Sequence, residues 1–249
     1  MKKSIFIILL LFSCFQLALG QKTETLNYVI SYKWGLIHKD AGEAQLKMTE
    51  NGNQYTFRLV GKTKPWADKF YKVRDTLISK VGVNGFKPIS YSKIAHEKGK
   101  YGRDDISFKH AGSSVTGHAK RLREKDGKIT SSEKNLSATG PTFDMLSVFY
   151  YLRRLDFNKL KGGDVVKVNI FSGSKVEEMT VRCKGIENIK LDNGKKEDAY
   201  HIVFKFTTEG KKKSSDDIDC WISADSQHIP LLVVGSLPVG QVRCRYVGK

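Results

Sequence analysis

The residues of this chain that could do chemistry are scattered along it. The six histidines are His38, His96, His110, His118, His201 and His228, and no two of them are spaced i,i+4. No cysteine falls near enough to complete a tetrahedral site, so the sequence points to no metal centre and no cofactor. Ser-x-x-Lys occurs at Ser90/Lys93, Ser131/Lys134 and Ser172/Lys175. That nucleophile–base pair needs a buried helix start to lower the lysine pKa, and all three pairs lie in polar strands or turns, which reads as chance. The HExxH, GxSxG, P-loop and GxGxxG patterns are absent. Asp216-Asp217-Ile218-Asp219 offers oxygen ligands but lacks the glycine and terminal glutamate of a calcium loop, and reads as a solvated strand entry. Asp75 is the odd carboxylate. It falls on the same alternating face as Tyr71, Val73 and Leu77, where a carboxylate must be paired or hydrogen-bonded, or else face a ligand.

The elements that must position these groups are strands. Leu26, Tyr28, Ile30, Tyr32 and Trp34 alternate with polar residues. So do Tyr55, Phe57 and Leu59, then Tyr200, Ile202, Phe204 and Phe206, then Val242, Cys244 and Tyr246. Period two is the mark of half-buried strands. Asn51-Gly52, Asn84-Gly85, Asp126-Gly127 and Asn193-Gly194 tolerate the positive φ of tight hairpin turns. The pattern predicts strands over 25–34, 42–49, 53–62, 69–81, 86–97, 101–110, 113–123 and 127–136. After a break it predicts 164–171, 175–190, 198–208, 216–223, 229–235 and 239–247. Pro141–Arg154 breaks the alternation. Met145, Phe149 and Leu152 recur at helical spacing, with Thr142 placed to cap the start, Asp144 at the positive dipole end, and Arg153 and Arg154 at the negative end. The expected fold is mainly β: a curved antiparallel sheet, an open half β-barrel, with one central helix near 142–155. That helix either plugs the curled sheet or divides two halves, 21–140 and 160–249, of a single β-rich domain spanning 21–249.

Composition narrows the class. The chain has 249 residues, 40% hydrophobic and 28% charged, a globular balance that excludes a disordered tail, a collagen or a multi-span membrane protein. Met1-Lys2-Lys3, the apolar run Ser4–Phe12 and Ala18-Leu19-Gly20 have the layout of a secretory signal peptide over 1–20, cleaved after Gly20. The apolar run falls short of the about 20 residues a spanning helix needs. Leu11-Phe12-Ser13-Cys14 loosely matches a lipidation box, which would place an anchor at Cys14 instead. Either route exports the protein, to the periplasm or the outer membrane. Cys183, Cys220 and Cys244 remain, either as three buried core residues or as one disulfide with a free thiol. Cleavage would remove Lys2 and Lys3 and take the formal charge from +17 to +15. Basic residues crowd at 93–103, 118–134, 153–161 and 211–213. Nucleic acid is a poor partner for an exported protein. An anionic membrane surface or an acidic glycan fits such charge, and so do plain solvated strand faces. Lys64–Lys72 interleaves aromatics with lysine, as a strand end with buried rings would, or as a tip resting among lipid headgroups would.

An ordered set of short pieces carries a family resemblance. It runs Gly42-Glu43-Ala44, Val73-Arg74-Asp75, Pro88, Asp144-Met-Leu-Ser147 with Tyr150-Tyr-Leu-Arg153, Gly163-Asp164, Gly185-Ile186-Glu187, Trp221-Ile-Ser-Ala-Asp225 and Ile229-Pro230-Leu231. Over nearly the whole exported chain this resembles domain of unknown function 3108. The resemblance implies a Gram-negative envelope protein with an open antiparallel barrel of the lipoprotein-carrier type. It brings no catalytic residues.

Three functional readings follow. The first is a non-catalytic binding protein whose curved sheet leaves an apolar concavity for a lipid or other hydrophobic ligand. Tyr28, Tyr32, Trp34, Phe57, Tyr71, Asp75, Phe149, Phe204 and Trp221 would line it. The second is an envelope interaction or scaffold protein that binds proteins or acidic glycans through its basic surface. The third is a hydrolase using Asp75 or the Asp216–Asp219 cluster.

Overall fold

Alternation along the chain builds one continuous sheet. The computed structural model describes residues 22–191, 194–208, 215–237 and 240–248. The expected signal peptide, Cys14 and the 211–213 lysines lie outside the described residues. Strands β1 (Lys22–Trp34), β2 (Ile37–Asn51), β3 (Gln54–Thr63), β4 (Val73–Gly82), β5 (Lys87–Glu97), β6 (Lys100–Ala111), β7 (Ser114–Lys125) and β8 (Lys128–Thr139) form an antiparallel meander. A second run holds β9 (Thr142–Asp144), β10 (Val165–Ser172), β11 (Lys175–Lys190), β12 (Lys196–Thr208), β13 (Ile218–Ser223), β14 (Pro230–Ser236) and β15 (Gln241–Gly248). The order in the sheet is β8-β7-β6-β5-β4-β3-β2-β1-β15-β14-β13-β12-β11-β10-β9, so β1 and β15 sit side by side at its centre. The runs β1–β8 and β9–β15 are therefore two arms of one sheet.

The sheet curls into a nearly closed barrel. β8 comes to lie against β10 and β11. Asn169 makes the seam: its side-chain amide donates to the Thr139 carbonyl at 2.9 Å and its backbone N–H to the Pro141 carbonyl at 2.8 Å. Phe171 of β10 reaches across to stack on Phe108 of β6, with ring centres 5.4 Å apart. Gly117 of β7 makes room for it, since a Cβ there would sit 2.7 Å from the ring. Tight hairpins join β1–β2, β2–β3, β5–β6, β6–β7, β7–β8 and β10–β11, and at the β7–β8 turn Asp126 and Gly127 take φ of 52° and 73°, the pair that an Asp-Gly turn supplies.

The break in the alternation is the plug of this barrel. The chain leaves β8, runs inward as β9 parallel to β10, turns, and comes back as helix α2 (Ser147–Leu152). The regular helix is shorter than the expected 142–155, because residues 142–144 pair with β10 instead. Thr142 does not cap it: its hydroxyl donates to the Gly140 carbonyl. Asp144 takes that place, accepting the Leu146 and Ser147 N–H groups at 2.9 and 2.8 Å and the Ser79 hydroxyl at 2.7 Å. The Ser147 hydroxyl in turn accepts the Asp144 N–H. Burial outweighs these bonds and raises the Asp144 pKa.

A second short helix, α1 (Pro65–Tyr71), stands where strand 69–81 was expected to begin. Pro65 at its first position favours a helix start, and Asp68 fastens it. The Asp68 carboxylate accepts two bonds from Arg74, at 3.0 and 2.7 Å, and one from the Thr63 hydroxyl. Cys183, Cys220 and Cys244 are free thiols, the first two buried.

Candidate functional site

The barrel has two ends. The plug end carries the start of β1, the β2–β3 and β4–β5 turns and the return of the plug. The other end, called here the rim, carries the β1–β2, β5–β6, β10–β11 and β14–β15 turns and α1. The plug fills the interior near its own end, while a cavity of about 510 Å³ stays open toward the rim beside Lys93, Glu97 and Asp104. Tyr150 of α2 stacks on Phe57 with ring centres 3.7 Å apart, Phe149 meets Phe204 edge-on at 6.0 Å, and Phe143 stacks on Tyr151 at 4.4 Å.

What stays open at the plug end is a cleft of about 650 Å³. Its apolar floor is Met48, Tyr55, Phe57, Phe86 and Tyr150. One wall is the Glu24–Arg153 pair, bidentate at 2.6 and 3.0 Å, with both side chains no more than 15% exposed. Arg153 spends its remaining donors on the Gln227 and His228 carbonyls. The Tyr150 hydroxyl is buried and has no hydrogen-bond partner. Burial pushes its pKa up, so it is held as a neutral phenol able to donate. Its ring lines the cleft while the oxygen itself is shut off from it, and the buried Tyr28 hydroxyl is unpartnered as well.

Arg154 stands at the lip. Its guanidinium lies 4.8 Å from the centre of the Phe86 ring, and it has no carboxylate partner among the described residues. On its far side a second cleft, of about 610 Å³, is walled by Phe86, Pro88, Val115, Phe143 and Tyr151. Phe86 and Arg154 border both clefts. The arrangement offers two clefts on either side of Arg154, each mixing aromatic rings with polar and charged residues; Lys22 and Glu50 also border the first and Lys87 the second.

The residues expected to line a single concavity are dispersed. Tyr28, Phe57 and Phe204 are buried core rings, and of these only Phe57 also faces the cleft. Phe149 is half-buried beside Phe204. Tyr32 is half-buried near the end of β1, with its ring close to Gly240. Trp34 is 55% exposed, because it is the last strand residue before a turn, beyond the opposite wall. Tyr71 ends α1, exposed, and donates to Glu97 at 2.8 Å. Trp221 is on the outer face: its neighbours Cys220 and Ile222 point inward, while it stacks on His201 at 4.4 Å and donates to Glu187 at 2.9 Å. Tyr150, Phe86, Glu24 and Arg154 went unread as site residues. The two arginines at 153 and 154 look alike in sequence, as helix-end cations, and only the fold pairs one and leaves the other at a lip.

Asp75 sits on the inner face toward the rim. Its carboxylate is 3.4 Å from the Lys93 ammonium, which also reaches Glu97 at 3.3 Å. Its second oxygen is buried without a partner, and burial raises its pKa, whereas the Tyr71 hydrogen bond holds Glu97 below the usual range. Next to it, Asp104 binds Arg121 at 3.0 Å and Arg123 at 2.6 Å, and Arg121 crosses to the Ser174 hydroxyl. Ser90 and Lys93 fall on opposite faces of β5, three strand residues apart, so they cannot meet. Asp219 is bound to His201 at 2.8 Å, while Asp216 and Asp217 are exposed. Among the described residues no group of three or more acids, histidines or cysteines converges as a metal site.

Comparison with known proteins agrees with this architecture. The family model described as "Protein of unknown function (DUF3108)" matches residues 27–245. A crystal structure of a β-barrel-like protein of domain of unknown function DUF1849 from Brucella abortus is similar, with a TM-score of 0.56 and 12% sequence identity, covering 90% of this chain and 95% of that one. At that identity the likeness concerns the fold alone. No curated protein matches the chain.

Proposed function

The chain belongs to the DUF3108 family, and from that premise we propose that it is an exported, non-catalytic binding protein of the cell envelope. Its ligand is an apolar molecule bearing an anionic group, held at the plug end. The observation that carries this reading is the aromatic floor of Phe57, Phe86 and Tyr150 beside Arg154, which has no carboxylate partner among the described residues. An acyl or aromatic body would lie on Phe57, Phe86 and Tyr150. Its carboxylate or phosphate would meet Arg154 at the lip. The site is therefore a surface cleft at the barrel mouth, since the inward rings are already packed against the plug. Export rests on the layout of residues 1–20. Asp75 has less support as a catalytic group, because Lys93 holds its carboxylate.

The test is native mass spectrometry of the protein purified from its own envelope, with Arg154→Glu in parallel. We expect a co-purified small anionic amphiphile that the variant loses, together with a mature N-terminus at Gln21. A ligand-free protein that also fails to shift the emission of a fluorescent fatty acid overturns the reading.

A further inference from the structure

The rim carries a feature that the binding cleft does not use. Ten large hydrophobic residues are exposed on the described surface, and five of them, Trp34, Leu36, Phe70, Tyr71 and Leu237, stand on one short arc of the rim. Scattered exposed apolar residues need no explanation, but a cluster does. The arc is continuous. The β14–β15 turn, with Leu237 bonded to the Gly240 carbonyl, abuts the end of β1, where Lys33 pairs with Gln241. Beyond the β1–β2 turn, Trp66 donates to the Asp40 carbonyl at 2.8 Å and lies under the Lys39 ammonium. Phe70 follows Trp66 edge-on at 6.3 Å on α1, and Lys98 covers Tyr71.

Charge on this arc is one-sided. Its acids are spent internally: Asp40 on Ser31, Arg245 and Lys64, Asp68 on Arg74, and Glu97 on Tyr71 and Lys93. Lys33, Lys39, Lys69 and Lys72 are exposed and have no carboxylate partner among the described residues. The apolar side chains project from the β1–β2 turn, the end of β14 and the end of α1. A rigid protein partner would need a matching pocket for each projection, whereas a fluid interface admits them at any spacing. Aromatic and leucine side chains that enter the acyl boundary, with lysines level with the headgroups, are the pattern of interfacial anchoring.

We propose that this arc is a docking surface for an anionic lipid bilayer. The partner is the bilayer surface itself, and the plug-end cleft stays clear of it at the other end of the barrel. The experiment is cosedimentation of the full chain with phosphatidylglycerol vesicles and with phosphatidylcholine vesicles. Binding to the first and about tenfold weaker binding to the second is expected. The triple variant Trp34→Ser, Leu36→Ser, Phe70→Ser removes only exposed side chains, so circular dichroism will be unchanged, and it is expected to lose affinity by about tenfold or more. Lys33→Gln, Lys69→Gln and Lys72→Gln each cost roughly fivefold at low salt and little at high salt. Ile186→Ser, at an exposed position of β11 toward the plug end, is expected to change nothing. Absence of binding to anionic vesicles, or equal binding by the triple variant, overturns the proposal. So does sedimentation velocity showing that the triple variant abolishes a vesicle-independent dimer, which would assign the arc to a second copy of the chain.

Discussion

The plug end and the rim are made from the same strands, yet their inward faces differ in kind. Toward the plug, the inner rows are large and apolar, as in Leu26, Leu46, Phe57 and Val81, and each buried charge is fully held. Toward the rim, the row Leu77–Lys93–Asp104–Arg121 turns ionic across four neighbouring strands. The plug explains the change. Its deepest bend, at Asp144, is bonded to Ser79, which lies four residues short of Asp75 along β4. Where the plug excludes water, a charged inward residue must be partnered or absent. Beyond its reach water enters, and an ion network is tolerated. Pointing inward and being apolar are separate properties here, joined only where something fills the lumen.

The largest test of this contrast is Asp144→Ala. It orphans two backbone N–H groups and the Ser79 hydroxyl in the dry half of the barrel, and should cost about 3–5 kcal/mol in urea unfolding. Asp144→Asn keeps an acceptor and should cost less, with a pH signature. The folded pKa of Asp144 is raised, so its contribution is present at low pH and is lost as pH rises through that value. The penalty of Asp144→Asn should therefore be greater at pH 4 than at pH 7.

Next comes a matched pair. Arg153→Ala strands the buried Glu24 and should cost about 3 kcal/mol, while Arg121→Ala at the wetter end should cost under about 1 kcal/mol. Equal losses in thermal denaturation would erase the distinction between the two ends. Gly117→Val drives a side chain into Phe171 at the seam, and about 1–3 kcal/mol should be lost. The smallest effect belongs to Asp68 at the rim. Hydrogen bonds from Arg74, then Thr63, hold its pKa down to about 2. Its stabilising contribution is present above the unfolded value and is lost as pH falls toward 2. Hydrogen exchange in α1 should quicken over that interval before the barrel opens, and Asp68→Asn should flatten the response.

Much of this architecture is legible from side-chain alternation. Each hairpin strand lies within a few residues of its expected place, because the period and the Asn-Gly and Asp-Gly turns act locally. The plug is legible too, as the one stretch where the period changes. Three features are not. Helix α1 hides in a mixed run whose Trp66, Phe70 and Tyr71 fit a strand end as readily, and only Pro65 hints otherwise. β9 is three residues of parallel pairing set by a distant strand. The face of Trp221 is the third, since alternation gives two faces and leaves open which is the inside. The cleft is less legible still. Tyr150 is a plain core aromatic in the sequence, and its unpaired hydroxyl arises from what packs around it.

The adjacency of β1 and β15 bears on how the molecule is made. Asn27 donates to the Gly248 carbonyl across 221 positions of chain. One flank of β1 thus waits, unzipped, until the chain has been delivered as far as β15, 221 positions on. Contacts so remote in sequence slow the search for the native state and leave a sticky strand margin exposed meanwhile.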